Sequence, residues 1–230
     1  MAPFTLTSAP VHGDRGEERL ARATSPCGLT VAISREAGAR GGSIARRVGK
    51  RLGWQVYTQE LLEFLCANEA ARQSLLAESP PDTSEWVESQ LGRLRREIAL
   101  ERHSQAGEMP RLILTLAARG QALLVGRGAG YYLPKETSLH IRIVAPLQDR
   151  ISHMADWLRL TREEAAEQVR LRDERRAEFL SKHFGRRSTD IHDYAVVLNS
   201  AFLGEETCAD AIVAAINGKE EFHEPESQME

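Results

Sequence analysis

Residues 29–54, LTVAISREAGARGGSIARRVGKRLGW, pass from a short apolar run through a glycine-rich turn into an amphipathic stretch. LTVAIS is apolar through most of its length and bounded by glycine, the pattern of a strand buried on both faces of a parallel sheet. Ile44, Val48 and Leu52 then recur at spacing four, one face of a helix. A strand of this kind needs a crossover before its parallel neighbour, so the unit commits the chain to strands alternating with helices.

The remainder of the sequence keeps to that alternation. QVY (55–57) reads as a short strand and TQELLEFLCANEA (58–70) as a helix, followed by the polar break ESPPDTSE. Residues 85–119 show no period of two and read as two helical pieces separated near Gly107 and Pro110. QALLVG (121–126), LHIRIVA (139–145) and YAVVL (194–198) read as strands, and GEETCADAIVAAI as the closing helix. Thr161 followed by Glu164 is a capping box that opens a long helix towards Lys182. The expected fold class is α/β: a three-layer parallel sheet of about five strands with helices on both faces, spanning 28–218. Residues 1–27 read as a flexible tail and 219–230 as an acidic one. In such sheets the ligand crevice lies at the carboxyl ends of the strands. Glycines collect there twice, at Gly38, Gly41 and Gly42 and again at Gly126, Gly128 and Gly130.

Composition removes several alternatives. Lys plus Arg is 30 against 33 for Asp plus Glu, a net charge of −3, so no nucleic-acid partner is expected from bulk charge. No run of 18 apolar residues exists and the first residues lack the apolar core of a signal peptide. No membrane association and a cytoplasmic location are therefore expected. Cys27, Cys66 and Cys208 have no Cys-x-x-Cys spacing, which predicts neither a disulfide framework nor a zinc site. Asp190, His192 and Asp193 form the most metal-like cluster, but on a polar stretch that reads as a solvated loop.

The turn Ser34–Ser43 suits an anion. Glycines let successive backbone N–H groups turn inward, and the helix behind them adds its positive end, so phosphate is the natural occupant. The full phosphate-loop pattern G-x-x-x-x-G-K-[ST] is absent, because Gly41 or Gly42 stands where its lysine would be.

Four stretches carry a resemblance: ISREAGARGGSIARRVGKRLGW, GQALLVGRGAGYYLP, HIRIVAPLQDRI, and RDERRAEFL with YAVVLNSAFLGEE. In order and spacing the chain, from about Leu29 to Ile216, resembles the cytidylate kinase-like family, a divergent branch of the P-loop nucleoside monophosphate kinases. The resemblance implies a P-loop kinase-like fold, ATP and Mg2+ as cofactors, and nucleotide substrates. It places Gly38, Ala39, Arg40, Gly41, Gly42 and Ser43 on the phosphate loop, with Ser43 as the magnesium hydroxyl. Arg127 would grip the acceptor, although Gly128 replaces the aspartate of the usual Gly-Arg-Asp. Asp173 and Arg176 fall on the lid segment, within 159–187, where Arg172, four residues before Arg176, presents a second guanidinium on the same side by its spacing; Asn199 begins the adenine-side loop, with Ala195 where aspartate is usual. Residues 58–119 would cover the acceptor.

The residues themselves leave alternatives open. Arg40 is either a replacement for the lysine's charge or a solvated arginine. Arg127 either enters the crevice or pairs with Glu36 or a helix end. Residues 159–187 hold nine Lys or Arg against six Asp or Glu, and Asp173 and Arg176, three apart, are placed to pair. Arg150 reads as a helical surface arginine, and Tyr131, Tyr132, Trp86 and Trp157 as base-stacking or core aromatics. The leading expectation is ATP-dependent phosphoryl transfer to a nucleoside monophosphate, CMP or dCMP by resemblance. The competing ones are a nucleotide-binding sensor with little or no turnover and a phosphotransferase acting on a different small molecule.

Overall fold

The computed structural model describes residues 26–97 and 107–221. Five strands form one sheet: β1 (Thr30–Arg35), β2 (Gln55–Tyr57), β3 (Ala122–Val125), β4 (Ser138–Val144) and β5 (Val196–Asn199). Their spatial order is β2-β3-β1-β4-β5 and every pairing is parallel, with Thr30 of the central strand opposite both Ala122 and Ser138. Each crossover carries helix: α1 (Gly41–Leu52), α2 (Gln59–Ala67), α3 (Glu69–Ala77), α4 (Thr83–Glu97), α5 (Glu108–Arg119), α6 (Ala129–Tyr132), α7 (Leu147–Leu158), α8 (Arg162–Phe184) and α9 (Ser200–Glu221). This is the α/β architecture expected from the alternating pattern.

The alternation of β1 decides the layers. Val31 and Ile33 pack with Ile44 and Val48 of α1 and Ile212 of α9, whereas Ala32 faces Leu62, Leu94, Ile113 and Leu116 from α2, α4 and α5. A third cluster of Ala37, Ile151, Met154, Ala165 and Val169 seats α7 and α8 under the first loop. Apolar area is buried on both faces of the sheet, which leaves only the strand ends free to carry function.

Boundaries differ from expectation where a side chain caps. The helix expected over 58–70 is two, because the Asn68 side chain accepts the N–H of Ala71 and starts α3 afresh. Pro110 sits in the first turn of α5, where a missing N–H costs nothing, rather than in a break. The Thr161–Glu164 capping box is formed as expected, and α8 behind it ends at Gly185. The expected acidic tail begins inside α9, which continues to Glu221. Most of the expected N-terminal tail, and residues 98–106 of the helical stretch expected over 85–119, lie outside the described residues.

Candidate functional site

β1 ends at the centre of the sheet and the chain turns at Glu36–Arg40 before α1 begins. Gly38 and Arg40 both have positive φ, 81° and 60°, and Ala39 N–H returns to the Glu36 carbonyl. Ser43 and Ile44 both donate their N–H to the Arg40 carbonyl, to which the Ser43 hydroxyl also donates at 2.9 Å. Among the described residues, the N–H groups of Gly38, Arg40, Gly41 and Gly42 meet no acceptor. The opening of α1 thus keeps its unsatisfied amides and its positive dipole end together.

The base of this loop is held firmly. Ala37 N–H donates to Asp173 Oδ1 at 2.8 Å, and Arg150 Nη1 donates to Asp173 Oδ2 at 2.6 Å and to the Ala37 carbonyl at 3.2 Å. Glu36 accepts the Ala145 N–H and pairs with Arg142 and Arg150. Arg150 is therefore not the surface arginine expected from its helical position. Its side chain is only 11% exposed, because two carboxylates and two carbonyls draw it inward. The Ser200 hydroxyl adds another tie, donating to the Ala39 carbonyl.

The second glycine turn brings Arg127 into the same crevice. Arg127 has φ 53° between Gly126 at 92° and Gly128 at 65°, a left-handed run that costs an arginine about 1–2 kcal/mol. It pairs with Glu63 of α2, not with Glu36, and lies over the Phe179 ring of α8. Its Nε is buried without a partner. Met109, Arg127, Tyr132, Phe179 and His183 line a cleft of about 100 Å³ beside it.

A residue the sequence reading passed over completes the group. Arg35, the last residue of β1, folds its stem over Gly41, where a Cβ would stand 2.7 Å from the Arg35 Cβ and 3.1 Å from its Cγ. Its guanidinium rests against Gly126, where a Cβ would clash outright with Nη1. Burial first, then the neighbouring Arg176, lower the Arg35 pKa to about 10, with Arg127 acting the same way and Glu60 opposing. Arg176 is also lowered by burial, against the pull of Asp173, to which it donates at 3.2 Å as its spacing predicts. Arg172 bears on both Arg176 and Glu60. Arg35, Arg127, Arg172 and Arg176 thus converge from one strand, one turn and one helix. Such a group can bind a polyanion, each fork matching phosphate oxygens in pairs.

The side chains of the other expected residues have partners of their own or lie in the core or on the surface. The Arg40 side chain is 41% exposed with Nε 3.9 Å from Glu205. Asn199 accepts the N–H groups of Ala201 and Phe202, capping the start of α9, where Phe202 is 80% exposed. Trp86 and Tyr132 are core residues and Trp157 is exposed. Asp190 caps a turn through the His192 N–H, and Asp193 pairs with Arg186. Alternation could have found Arg35: it has the parity of Val31 and Ile33, the face that α1 covers.

A profile of the cytidylate kinase-like family matches residues 30–201. Among solved structures, an uncharacterized protein from Eubacterium ventriosum is similar at 15% identity, over 82% of this chain and 98% of that one, with a TM-score of 0.58. Shikimate kinase from Bacteroides thetaiotaomicron matches at 9% identity over 82% and 98% of the two chains, TM-score 0.42. Deoxyadenosine kinase from M. mycoides matches at 14% over 83% and 100%, TM-score 0.38. At 15% identity the likeness to the first of these speaks to fold alone. No curated protein matches the sequence.

Proposed function

Because the chain belongs to the cytidylate kinase-like family, we propose that it transfers the γ-phosphoryl group of ATP to a nucleoside monophosphate, with CMP or dCMP as the favoured acceptor. The observation that carries this reading is the convergence of four guanidiniums beside a loop in which the amides of Gly38, Arg40, Gly41 and Gly42 meet no acceptor among the described residues. Phosphoryl transfer needs no protein nucleophile. The bond from the γ-phosphorus to the β–γ bridging oxygen breaks, that oxygen leaves with the electron pair on ADP, and an acceptor phosphate oxygen bonds to the phosphorus. The protein has to position the two chains and offset the charge.

The amides of Gly38, Arg40, Gly41 and Gly42 at the start of α1 hold the donor phosphates in this reading, while Ala39, its N–H returned to Glu36, keeps the turn in shape. Arg172 and Arg176 close on them from α8, Arg127 orients the acceptor phosphate, and the cleft beside Phe179 receives the base. Asn199 stands on the donor's adenine side. Magnesium fits the first turn of α1: the Ser43 hydroxyl gives its proton to the Arg40 carbonyl, which leaves oxygen lone pairs for a cation that phosphate oxygens and waters mostly hold. When bound, Mg2+ offsets charge on the phosphate oxygens.

One observation favours a second reading, a nucleotide-binding sensor: Gly41 stands at the lysine's place and Gly128 where an aspartate is usual. Coupled ADP release separates the two, measured with CMP, dCMP, UMP, AMP and GMP, with and without Mg2+. Magnesium-dependent ADP release that tracks formation of CDP or dCDP supports the kinase. ATP binding with no acceptor raising ADP above background refutes it in favour of the sensor.

A further inference from the structure

The side chain missing at position 41 is missing for a steric reason. Arg35 Cβ, Cγ and Cδ would stand 2.7, 3.1 and 3.6 Å from any Cβ placed on Gly41, so the space a lysine stem would fill is already taken. The same side chain runs on to Gly126, whose lack of a Cβ makes room for the guanidinium. Arg35 therefore spans the opening of the first glycine loop and the beginning of the second.

Its surroundings contain charge that is not cancelled. Among the described residues the Arg35 guanidinium has no hydrogen bond or ion pair, while Arg127 and Arg176 press on it electrostatically and Glu60 alone opposes them. Arg127 and Arg176 already have Glu63 and Asp173 as partners. A largely buried cation left in this state destabilises a protein unless an anion arrives to complete it. Arg40, closer to the lysine's place in sequence, is drawn to Glu205 instead.

We propose that Arg35 is the catalytic cation that replaces the phosphate-loop lysine, its fork bridging the donor's outer phosphate and the acceptor's phosphate across the two glycine turns. The assignment rests on the phosphoryl-transfer reading for its substrates, but its contact with a phosphate chain does not require turnover. An arginine suits the place because its planar fork offers two donor edges, where a lysine offers a point charge.

The test uses the full chain with Arg35→Gln and Arg35→Met, both of which keep a stem over Gly41, and the exchange variant Arg35→Gly with Gly41→Lys. The probes are inorganic tripolyphosphate and ATP in calorimetry, with CMP as acceptor in steady-state assays. Affinity for tripolyphosphate should fall about tenfold or more in both single variants, as expected for loss of a charge-assisted contact. kcat should fall about 100-fold or more. The melting temperature without ligand should hold or rise, since an unpaired charge has been removed, and that separates the role from a merely structural one. The exchange variant should recover at least tenfold of the lost kcat. Single variants that bind tripolyphosphate as the wild type does overturn the assignment, even where wild-type turnover establishes the kinase. A wild type without turnover, whose tripolyphosphate binding still depends on Arg35, refutes the kinase reading and supports the phosphate contact.

Discussion

Asp173 joins the long helix α8 to the first loop, and its removal measures how much that joint holds. The carboxylate receives three donors: Ala37 N–H at 2.8 Å, Arg150 Nη1 at 2.6 Å and Arg176 Nη1 at 3.2 Å. Asp173→Ala leaves the Ala37 amide without an acceptor and Arg176 as a further unpaired cation beside Arg35. Arg150 is cushioned by Glu36, 3.4 Å away, and by the Ala145 carbonyl. A hydrogen bond to a charged group is worth about 1.5–3 kcal/mol, and side chains about a third exposed on both Asp173 and Arg176 call for a discount on the sum. The expected loss is about 3 kcal/mol, which for a domain of this size lowers the melting temperature by about 6–12 °C. Calorimetry and urea unfolding read the stability, and hydrogen exchange at the Ala37 amide reads the joint itself. In a double-mutant cycle with Arg150→Met the two changes should couple by about 1–2 kcal/mol, because both remove the same pair. A fall of under 2 °C with unchanged protection at Ala37 would refute the view that α8 is tied to the loop through this carboxylate.

Two further outcomes follow from backbone strain and from burial. Arg40 is held at φ 60° with a half-exposed side chain and only a long contact to Glu205. Relief of about 1–2 kcal/mol of left-handed strain against about 0.5–1 kcal/mol of glycine's extra chain entropy should leave Arg40→Gly more stable by about 0.5 kcal/mol. Its melting temperature should rise by about 1–2 °C, and a fall would show that the Glu205 contact outweighs the strain. His140 is packed under Gly130 and bonded to the Ser34 hydroxyl at 2.9 Å, and burial pushes its pKa down to about 4. The unfolded chain takes up that proton near pH 6.5, so the contribution is complete above pH 6.5 and is lost as pH falls through 4. The loss approaches about 3 kcal/mol. Urea titrations at pH 7, 5 and 4 should show it, and His140→Gln should remove that part of the slope. Equal slopes in the two proteins would place the acid sensitivity elsewhere.

Where local pattern and tertiary contact agree, the sequence was enough. LTVAIS became the central strand because its apolar residues meet helices on both faces, QVY paired as a three-residue strand, and Thr161 with Glu164 opened α8. Asn68 misled because a side chain suited to the middle of a polar helix also caps one, and only the bond to Ala71 decides between them. Arg150 misled because a helical position gives direction but not what waits there, here Glu36 and Asp173 from distant segments.

The site turns on a comparable distinction between position along the chain and position in space. Aligning the loop by its glycines puts Gly41 at the lysine's place and makes Arg40, its neighbour in sequence, the natural substitute. Side chains on a strand point by parity, however. Residue 35 shares the face of Val31 and Ile33, the one onto which α1 folds, so its stem crosses the first turn of that helix. A cation in the crevice can therefore come from the helix, with glycine at the strand's end, or from the strand, with glycine on the helix. The two arrangements exclude each other, since Arg35 and a side chain at 41 compete for one volume. It follows that Gly41→Lys introduced alone should destabilise the protein by steric conflict rather than improve it, and that only the paired exchange with Arg35→Gly relieves the conflict. A single Gly41→Lys variant as stable and as tightly bound to tripolyphosphate as the wild type would mean that the two side chains share the space and that Arg35 does not exclude a lysine there.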